Sequence, residues 1–345
     1  METIVNQSAN NKNFISRNGG NIVVIVILAI LVLLLVEQAV RFHIFGYDSL
    51  SYKKMYSVKS LGHSGFIQAS DVKSIVYEHK PNIDSQLKLV SFKTNSRGLR
   101  DIEYSIEKPD DTFRVVVIGS SFTFGSGVEI ENTFHSLLED RLNRESESLK
   151  YEFINFGVGG YTMRNKLATL KFKALEYDPD LVLFVLDGSE FTDKEYKEFV
   201  PKPKKNHFFR SYTYKLLKRI KIFGPHDTKT PKFLKHHNEH LDELGTKFHA
   251  LDEISQKYGI PICVVVLDHD YLHYELSKKI MALAEKNNLF FSNTLPSFAG
   301  TSFRDFRIYK VDFHPNTEAN VLFADSIYHD LKNQSLLEKQ GSSVR

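Results

Sequence analysis

The stretch Phe113-Arg-Val-Val-Val-Ile118-Gly119-Ser120-Ser121-Phe-Thr123-Phe-Gly125 decides how this chain is read. Its first six residues are apolar apart from one arginine, the pattern of a parallel strand buried on both faces. A serine directly after such a strand stands at its carboxyl end, where open α/β sheets place their ligands. A serine hydroxyl is a poor nucleophile at neutral pH. It needs a base within hydrogen-bond reach, and the base needs an orienting acid. The chain offers both near its other end, in Asp312-Phe-His314-Pro315-Asn316, with a carboxylate two residues before a histidine.

Further short apolar runs follow at 152–156, 180–186, 260–267 and 289–294, each bounded by turn residues. Between them lie helical patterns: Phe134, Leu137, Leu138 and Leu142 share a face, as do Leu167, Leu170 and Leu175, and Ile280, Leu283 and Ala284. Thr317 to Leu331 reads as a closing helix. Strands alternating with helices imply right-handed crossovers. The expected fold is therefore α/β, a three-layer sandwich with a five-stranded parallel sheet of flavodoxin-like type. Ser121, Gly160 and Ser189 each follow a strand end.

This arrangement resembles the SGNH/GDSL hydrolase family over about residues 94–331. Gly119-Ser120-Ser121 matches the first motif, with Ser121 at the nucleophile position. Asn155-Phe-Gly157-Val-Gly159-Gly160-Tyr161-Thr162 matches the second, with Gly160 at the backbone oxyanion donor. Asp187-Gly188-Ser189-Glu190 stands where the third, Gly-Asn-Asp, belongs, and Asp312-Phe-His314-Pro315-Asn316 matches the last. Asn95-Ser96-Arg97-Gly98-Leu99-Arg100-Asp101 is similar to the lead-in of membrane-anchored members found with bacterial surface-polysaccharide genes. The resemblance implies a metal-free, cofactor-free Ser-His-Asp site, with Ser121 as nucleophile, His314 as base and Asp312 as its orienting acid.

The chain departs from the family pattern at three places. Ser120 replaces the aspartate before the nucleophile, and Ser189 replaces the oxyanion asparagine. The Asp-to-His spacing is two rather than the commoner three, and Val311 occupies the three-back position. Ser120 and Ser126 are neighbouring hydroxyls, but the Gly-x-Ser-x-Thr-x-Gly register points to Ser121. Gly157 and Gly159 read as turn glycines, whereas Gly160 would let backbone approach a developing oxyanion.

Of 345 residues, 25% are charged and 42% apolar, which fits a globular protein of one large or two ordinary domains. A net charge of +3 gives no case for a nucleic-acid partner. The single cysteine, Cys263, lies in the apolar run Ile262-Cys-Val-Val-Val266 and reads as a buried, inert thiol. Ile22 to Val36 is unbroken apolar sequence, extendable to about the 20 residues that cross a bilayer core. It lacks the Ala-x-Ala site of a cleaved signal peptide and is apolar on every face, unlike a core helix. A transmembrane signal anchor is expected over 19–40, after a flexible polar tail at 1–18. Lysines and arginines on both sides do not orient it, so an extracytoplasmic catalytic domain follows from the resemblance alone.

Residues 41–110 read as a lead-in packing on the edge of a hydrolase-like domain at 111–335, with Leu87 to Phe92 as a short strand. Residues 193–240 interrupt the alternation with crowded lysines and arginines. They read either as a lid or membrane-surface helix or as a solvated insertion packed on its own domain. His236, His237 and His240, and Asp268-His269-Asp270, have no recognised metal-ligand spacing and read as solvent-facing, the latter cluster near the pocket rim. The expected function is a membrane-anchored esterase or O-acyl (acetyl) transfer enzyme acting on an ester-bearing small molecule or an envelope glycan. The alternative is a weak or inactive member that binds a glycan or partner through the same cleft. The sequence leaves the oligomeric state open.

Overall fold

A computed structural model describes residues 2–52, 66–187, 211–214, 237–309 and 312–338. The chain divides into two compact units, Met1–Met55 with Phe208–Asp227, and Tyr56–His207 with Thr228–Arg345. Residues 41–52 and 211–214 thus group with the N-terminal helix rather than with the second unit.

In the first unit, helix α1 runs over Glu2–Phe45 and passes into a short 3-10 turn at Gly46–Leu50. The polar stretch read as a flexible tail carries helical backbone, because no proline breaks the pattern upstream of the apolar run. The segment Gly20–Leu50 is long and apolar enough to cross a membrane, a test that a signal sequence also passes. Its side chains from Ile22 to Val36 lie exposed. Near the helix's end, the Glu37 carboxylate accepts hydrogen bonds from Ser211 Oγ (2.8 Å), Tyr212 N (2.9 Å), Thr213 N (3.1 Å) and Thr213 Oγ1 (2.9 Å). Tyr212 also packs edge-on against Phe45, with ring centroids 5.2 Å apart. These contacts explain why 211–214 group with the helix. The rest of the insertion, apart from backbone at 237–240, lies outside the described residues.

The second unit opens with two antiparallel hairpins, β1 (Ile67–Ala69) with β2 (Tyr77–His79), and β3 (Asp84–Leu87) with β4 (Val90–Lys93). The single strand expected over Leu87 to Phe92 is instead a turn and a strand. Leu87 pairs with Val90, and Lys88 and Leu89 between them adopt φ of 51° and 74°. A two-residue hairpin loop matched to strand twist needs positive φ at both positions. Here neither residue is glycine, so no turn signal marks it in the sequence.

Five parallel strands form the main sheet: β5 (Thr112–Ile118), β6 (Lys150–Asn155), β7 (Leu181–Leu186), β8 (Ile262–Val266) and β9 (Phe290–Asn293), in the order β6-β5-β7-β8-β9. Alternate side chains leave opposite faces. Val115 and Val117 join a core with Leu138 and Leu142 of α2 (Phe134–Glu145) and with Phe323 and Ile327 of α6 (Thr317–Asn333). Val116 and Ile118 join the other core, with Leu170 of α3 (Met163–Phe172), Phe248 and Leu251 of α4 (His237–Tyr258), and Ile280 of α5 (Tyr274–Lys286). This is the expected three-layer sandwich. Helix α4 was not anticipated, although Leu241, Leu244, Phe248, Leu251 and Ile254 carry its period. A last hairpin, β10 (Arg307–Tyr309) with β11 (Asp312–Pro315), was also missed.

Arg114, the one charged residue of β5, is fully buried. Its Nε and Nη2 donate to Glu152 Oε2 of β6 at 2.9 and 2.7 Å, and Nη1 donates to the carbonyls of Tyr177 (2.8 Å) and Ile106 (3.1 Å). Cys263 is buried in β8, and burial pushes its thiol up, as expected of an inert thiol. Removing one partner of a buried pair strands the other charge in low dielectric. Arg114→Met is expected to destabilise the chain by about 3–5 kcal/mol, read as a lowered urea midpoint with an unchanged slope.

Candidate active site

The chain switches direction across the sheet at β5, whose neighbours are β6 and β7, so the loops leaving these three strands border one crevice. After β5 the backbone coils tightly, Phe124 N donating to Ser120 O (2.8 Å) and Ser126 N to Ser121 O (3.1 Å). The lead-in motif holds this turn. Arg100 Nη1 donates to the carbonyls of Phe124 (2.8 Å) and Gly125 (2.6 Å), and Nη2 to those of Val128 (2.6 Å) and Ser91 (3.0 Å). Its guanidinium also lies 5.1 Å from the Phe124 ring centroid. Asn95 shapes the loop that presents it, its Oδ1 accepting from Arg97 N (3.0 Å) and Leu99 N (2.9 Å). Next to Arg100, Asp101 Oδ2 accepts from Asn155 N at the end of β6 (2.8 Å), and burial pushes its carboxyl up to about 8.

Ser120 does not lack a carboxylate. Its Oγ donates a hydrogen bond to Asp187 Oδ2, at the end of β7, while Lys166 Nζ stands 3.8 Å from Asp187 Oδ1 and donates to Val185 O (2.8 Å). The side chains of both Asp187 and Lys166 are buried. An acid on the neighbouring strand thus meets the hydroxyl where the family motif carries its own acid. Sequence reading found Asp187 but not this pairing.

The loop after β6 is pinned from both sides. Asn155 Oδ1 accepts from Gly157 N (2.8 Å), Tyr77 Oη donates to Gly159 O (2.9 Å), and Tyr161 Oη donates to Tyr77 O (2.7 Å). Gly157 is more than a turn glycine, because a Cβ there would lie 2.5 Å from Phe124 N of the neighbouring turn. Gly160 adopts φ 86°, a conformation that a side chain resists.

The two-residue spacing of Asp312 and His314 has a simple cause. Both lie on strand β11, where residues two apart face the same side. Asp312 Oδ1 lies 2.5 Å from His314 Nδ1 and also accepts from His314 N (3.1 Å). Nδ1 therefore carries the hydrogen, and Nε2 is left as the acceptor. The imidazole stacks on Phe313, 4.8 Å between centroids at 17°, and meets Phe122 at 5.8 Å. Asn316 caps α6, its Oδ1 accepting from Ala319 N (3.0 Å). Lys88, at the tip of the β3–β4 hairpin, was not anticipated. Its Nζ lies 2.8 Å from Asp312 Oδ2 and 3.0 Å from His314 Nδ1. A buried lysine in an otherwise ordinary hairpin gives no sequence signal.

Burial alone would raise Asp312, but the hydrogen bond and charge of His314, with the charge of Lys88, hold it well below the usual carboxylate range. Burial foremost, and the Lys88 charge with it, hold His314 below the usual histidine range against the opposing pull of Asp312. Ser121, Gly160 and His314 line one cavity of about 370 Å³, with Phe66, Leu87, Phe92, Phe124 and Phe313 supplying apolar wall. Asp312 reaches it through His314. Ser189 lies outside the described residues. His269, read as solvent-facing, is 4% exposed and packs against Phe122 and Phe298, while Asp268 Oδ2 lies 2.6 Å from His273 Nδ1. Among the described residues no group of His, Cys, Asp and Glu is placed to hold a metal ion.

No family model matches the sequence, and no curated protein matches it. By fold the chain is similar to the psychrotrophic esterase EstA from Pseudoalteromonas sp., at 18% identity and a TM-score of 0.43, covering 66% of this chain and 99% of that one. It is similar to the acetylxylan esterase Axe2 from Geobacillus stearothermophilus, at 14% identity and 0.42, covering 64% and 94%. A protein of the G-D-S-L family from Desulfitobacterium hafniense is similar at 15% and 0.40, covering 63% and 99%.

Lysine cannot present the planar fork through which Arg100 joins the carbonyls of Phe124, Gly125 and Val128 to that of Ser91. Arg100→Lys is expected to cost about 2–4 kcal/mol, since each abandoned buried carbonyl costs on the order of 1–3 kcal/mol. Hydrogen exchange should speed up first at the amides of 124–128.

Proposed function

We propose that this chain is a membrane-anchored serine esterase or acyl-transfer enzyme of the SGNH/GDSL type. The observation that carries the reading is the meeting of Ser121, Gly160 and the Asp312-oriented His314 on one cavity. Ser121 Oγ attacks the ester carbonyl carbon as His314 Nε2 takes its proton. Asp312 keeps the imidazole in the required tautomer and stabilises the imidazolium. The oxyanion is held by the backbone N–H groups of Ser121 and Gly160, with the Ser189 hydroxyl as a third donor. Collapse breaks the acyl–oxygen bond, and the leaving alkoxide takes the proton from His314. The same base then activates water, or the hydroxyl of an acceptor, to release the acyl group from Ser121. No cofactor enters these steps.

The substrate class we assign is an ester borne by a small molecule or an envelope glycan, for which the Asn95 to Asp101 lead-in and its family resemblance are the support. The apolar wall of the cavity suits an acyl group, and Ser121 and Gly160 in its lining suit the ester carbonyl. The membrane reading rests on α1. A helical stretch that is apolar on all sides and exposed, as Ile22 to Val36 is, is stable in hydrocarbon and not in water. The extracytoplasmic side of the membrane is assigned to the catalytic unit on the family resemblance alone.

A fluorophosphonate probe is expected to label wild type and not Ser121→Ala. Asp312→Asn should lower turnover of a short-chain aryl acetate by about 10⁴-fold, the scale of a lost tautomer control. A chain that neither reacts with the probe nor hydrolyses any of several esters is instead a binding protein of this fold. Membrane association should resist carbonate extraction and be lost when residues 1–40 are deleted.

A further inference from the structure

The chemistry just described has no use for a lysine, yet the site contains one. Lys88 extends from the β3–β4 turn with its side chain only 7% exposed, its Nζ 2.8 Å from Asp312 Oδ2 and 3.0 Å from His314 Nδ1. Its placement is constrained from several directions. The backbone holds φ 51° without being glycine, a conformation that persists only where the surroundings enforce it. Tyr309 Oη on β10 donates to the Lys88 carbonyl (2.7 Å). Gly127 leaves room for the lysine stem, since a Cβ there would lie 3.3 Å from Lys88 Cδ. A lysine at a hairpin tip ordinarily reaches water, and burying an ammonium is unfavourable unless a partner offsets the lost hydration.

Proton bookkeeping decides what the lysine does. His314 Nδ1 has one hydrogen to give, and Asp312 Oδ1 receives it at 2.5 Å. Nδ1 then has no lone pair for Lys88, whose hydrogen bond goes to Oδ2. The carboxylate is divided, one oxygen orienting the imidazole and the other held by the ammonium. The 3.0 Å approach of Nζ to Nδ1 is left as a like-charge contact whenever His314 is protonated.

We propose that Lys88 is a positioning residue of this site: it locks the rotation of the Asp312 carboxylate and opposes protonation of His314, so that the base stays neutral and competent into mildly acidic conditions. The inference rests on the serine-esterase reading for its effect on rate, but not for its effect on the histidine. The charged groups that act on His314 come from separate elements. Asp312 on β11 and Asp187 after β7 favour its protonation, while Lys88 opposes it. The buried ring of His269, after β8, interacts with it electrostatically. Among these, Lys88 is the one placed to offset Asp312 directly.

The sign follows. Replacing the ammonium with a neutral group removes a repulsion felt only by the imidazolium, so the titration midpoint of His314 must rise. The test uses the full chain in detergent micelles, with ¹³C-labelled histidine and the His314 signal assigned by its loss in His314→Gln. Lys88→Met is expected to move the His314 midpoint up by about one pH unit or more, the scale of a charge a few ångströms away in a partly buried site. The acidic limb of fluorophosphonate inactivation of Ser121 should move with it, and Lys88→Arg should restore both. Lys88→Gln keeps an N–H donor for Oδ2 while losing the charge, and reads the same shift should Lys88→Met not fold. An unchanged midpoint in either neutral variant, or folding of Lys88→Arg alone, would make the lysine structural and overturn the proposal. If Ser121 proves unreactive while the midpoint still rises, the esterase reading falls and the charge relation stands.

Discussion

Strand β5 hydrogen-bonds to β6 on one edge and to β7 on the other, and every residue on it is buried. That double pairing is the constraint on which the rest depends. The chain must leave β5 over one face of the sheet and return over the other, so the ends of β5, β6 and β7 border one crevice. Ser121, Gly160 and Asp187 belong to these ends. Because side chains alternate along the strand, a slip of one residue would turn Val115 and Val117 into the wrong core. The position of the serine is therefore tied to the packing of two separate cores.

Charges buried at the two ends of the sheet reinforce the arrangement. Arg114 and Glu152 close the amino end of β5 and β6, while Lys166 with Asp187, and Lys88 with Asp312, stand at the carboxyl side. Such pairs contribute little net stability against an apolar replacement, but each becomes costly once a partner is lost. They therefore act chiefly to fix geometry. Arg100 does the same with neutral partners, its two terminal nitrogens donating to backbone carbonyls that follow Ser121. In a low-dielectric setting the same charges also bias protonation, which is why His314 and Asp312 both depart from their ordinary ranges.

Two hairpins outside the main sheet complete the candidate site. The β10–β11 hairpin places Asp312 and His314 on one face at a spacing of two, and the β3–β4 hairpin brings in Lys88. Residues of the lead-in also hold the loops that border the candidate site. Arg100 braces the serine turn, Asp101 receives the Asn155 amide, and Tyr77 fixes the carbonyl of Gly159.

The parallel sheet, its helices other than α4, and the pair Asp312 and His314 were legible in the sequence, because continuous apolar runs, helical periods and short motifs are local signals. The β3–β4 turn was not, since Lys88 and Leu89 take positive φ without the glycine or asparagine that announces it. Helix α4 was overlooked although its period is present, whereas β10 and β11 are too short for a period to show. Sequence alone made Ser120 look like a lost acid and left Lys88 unremarked. Only the tertiary structure decided that Asp187 meets the first and that the second meets Asp312. Such pairings join residues far apart along the chain, and a carboxylate or an ammonium gains its role from the groups that replace water around it, which no local pattern records.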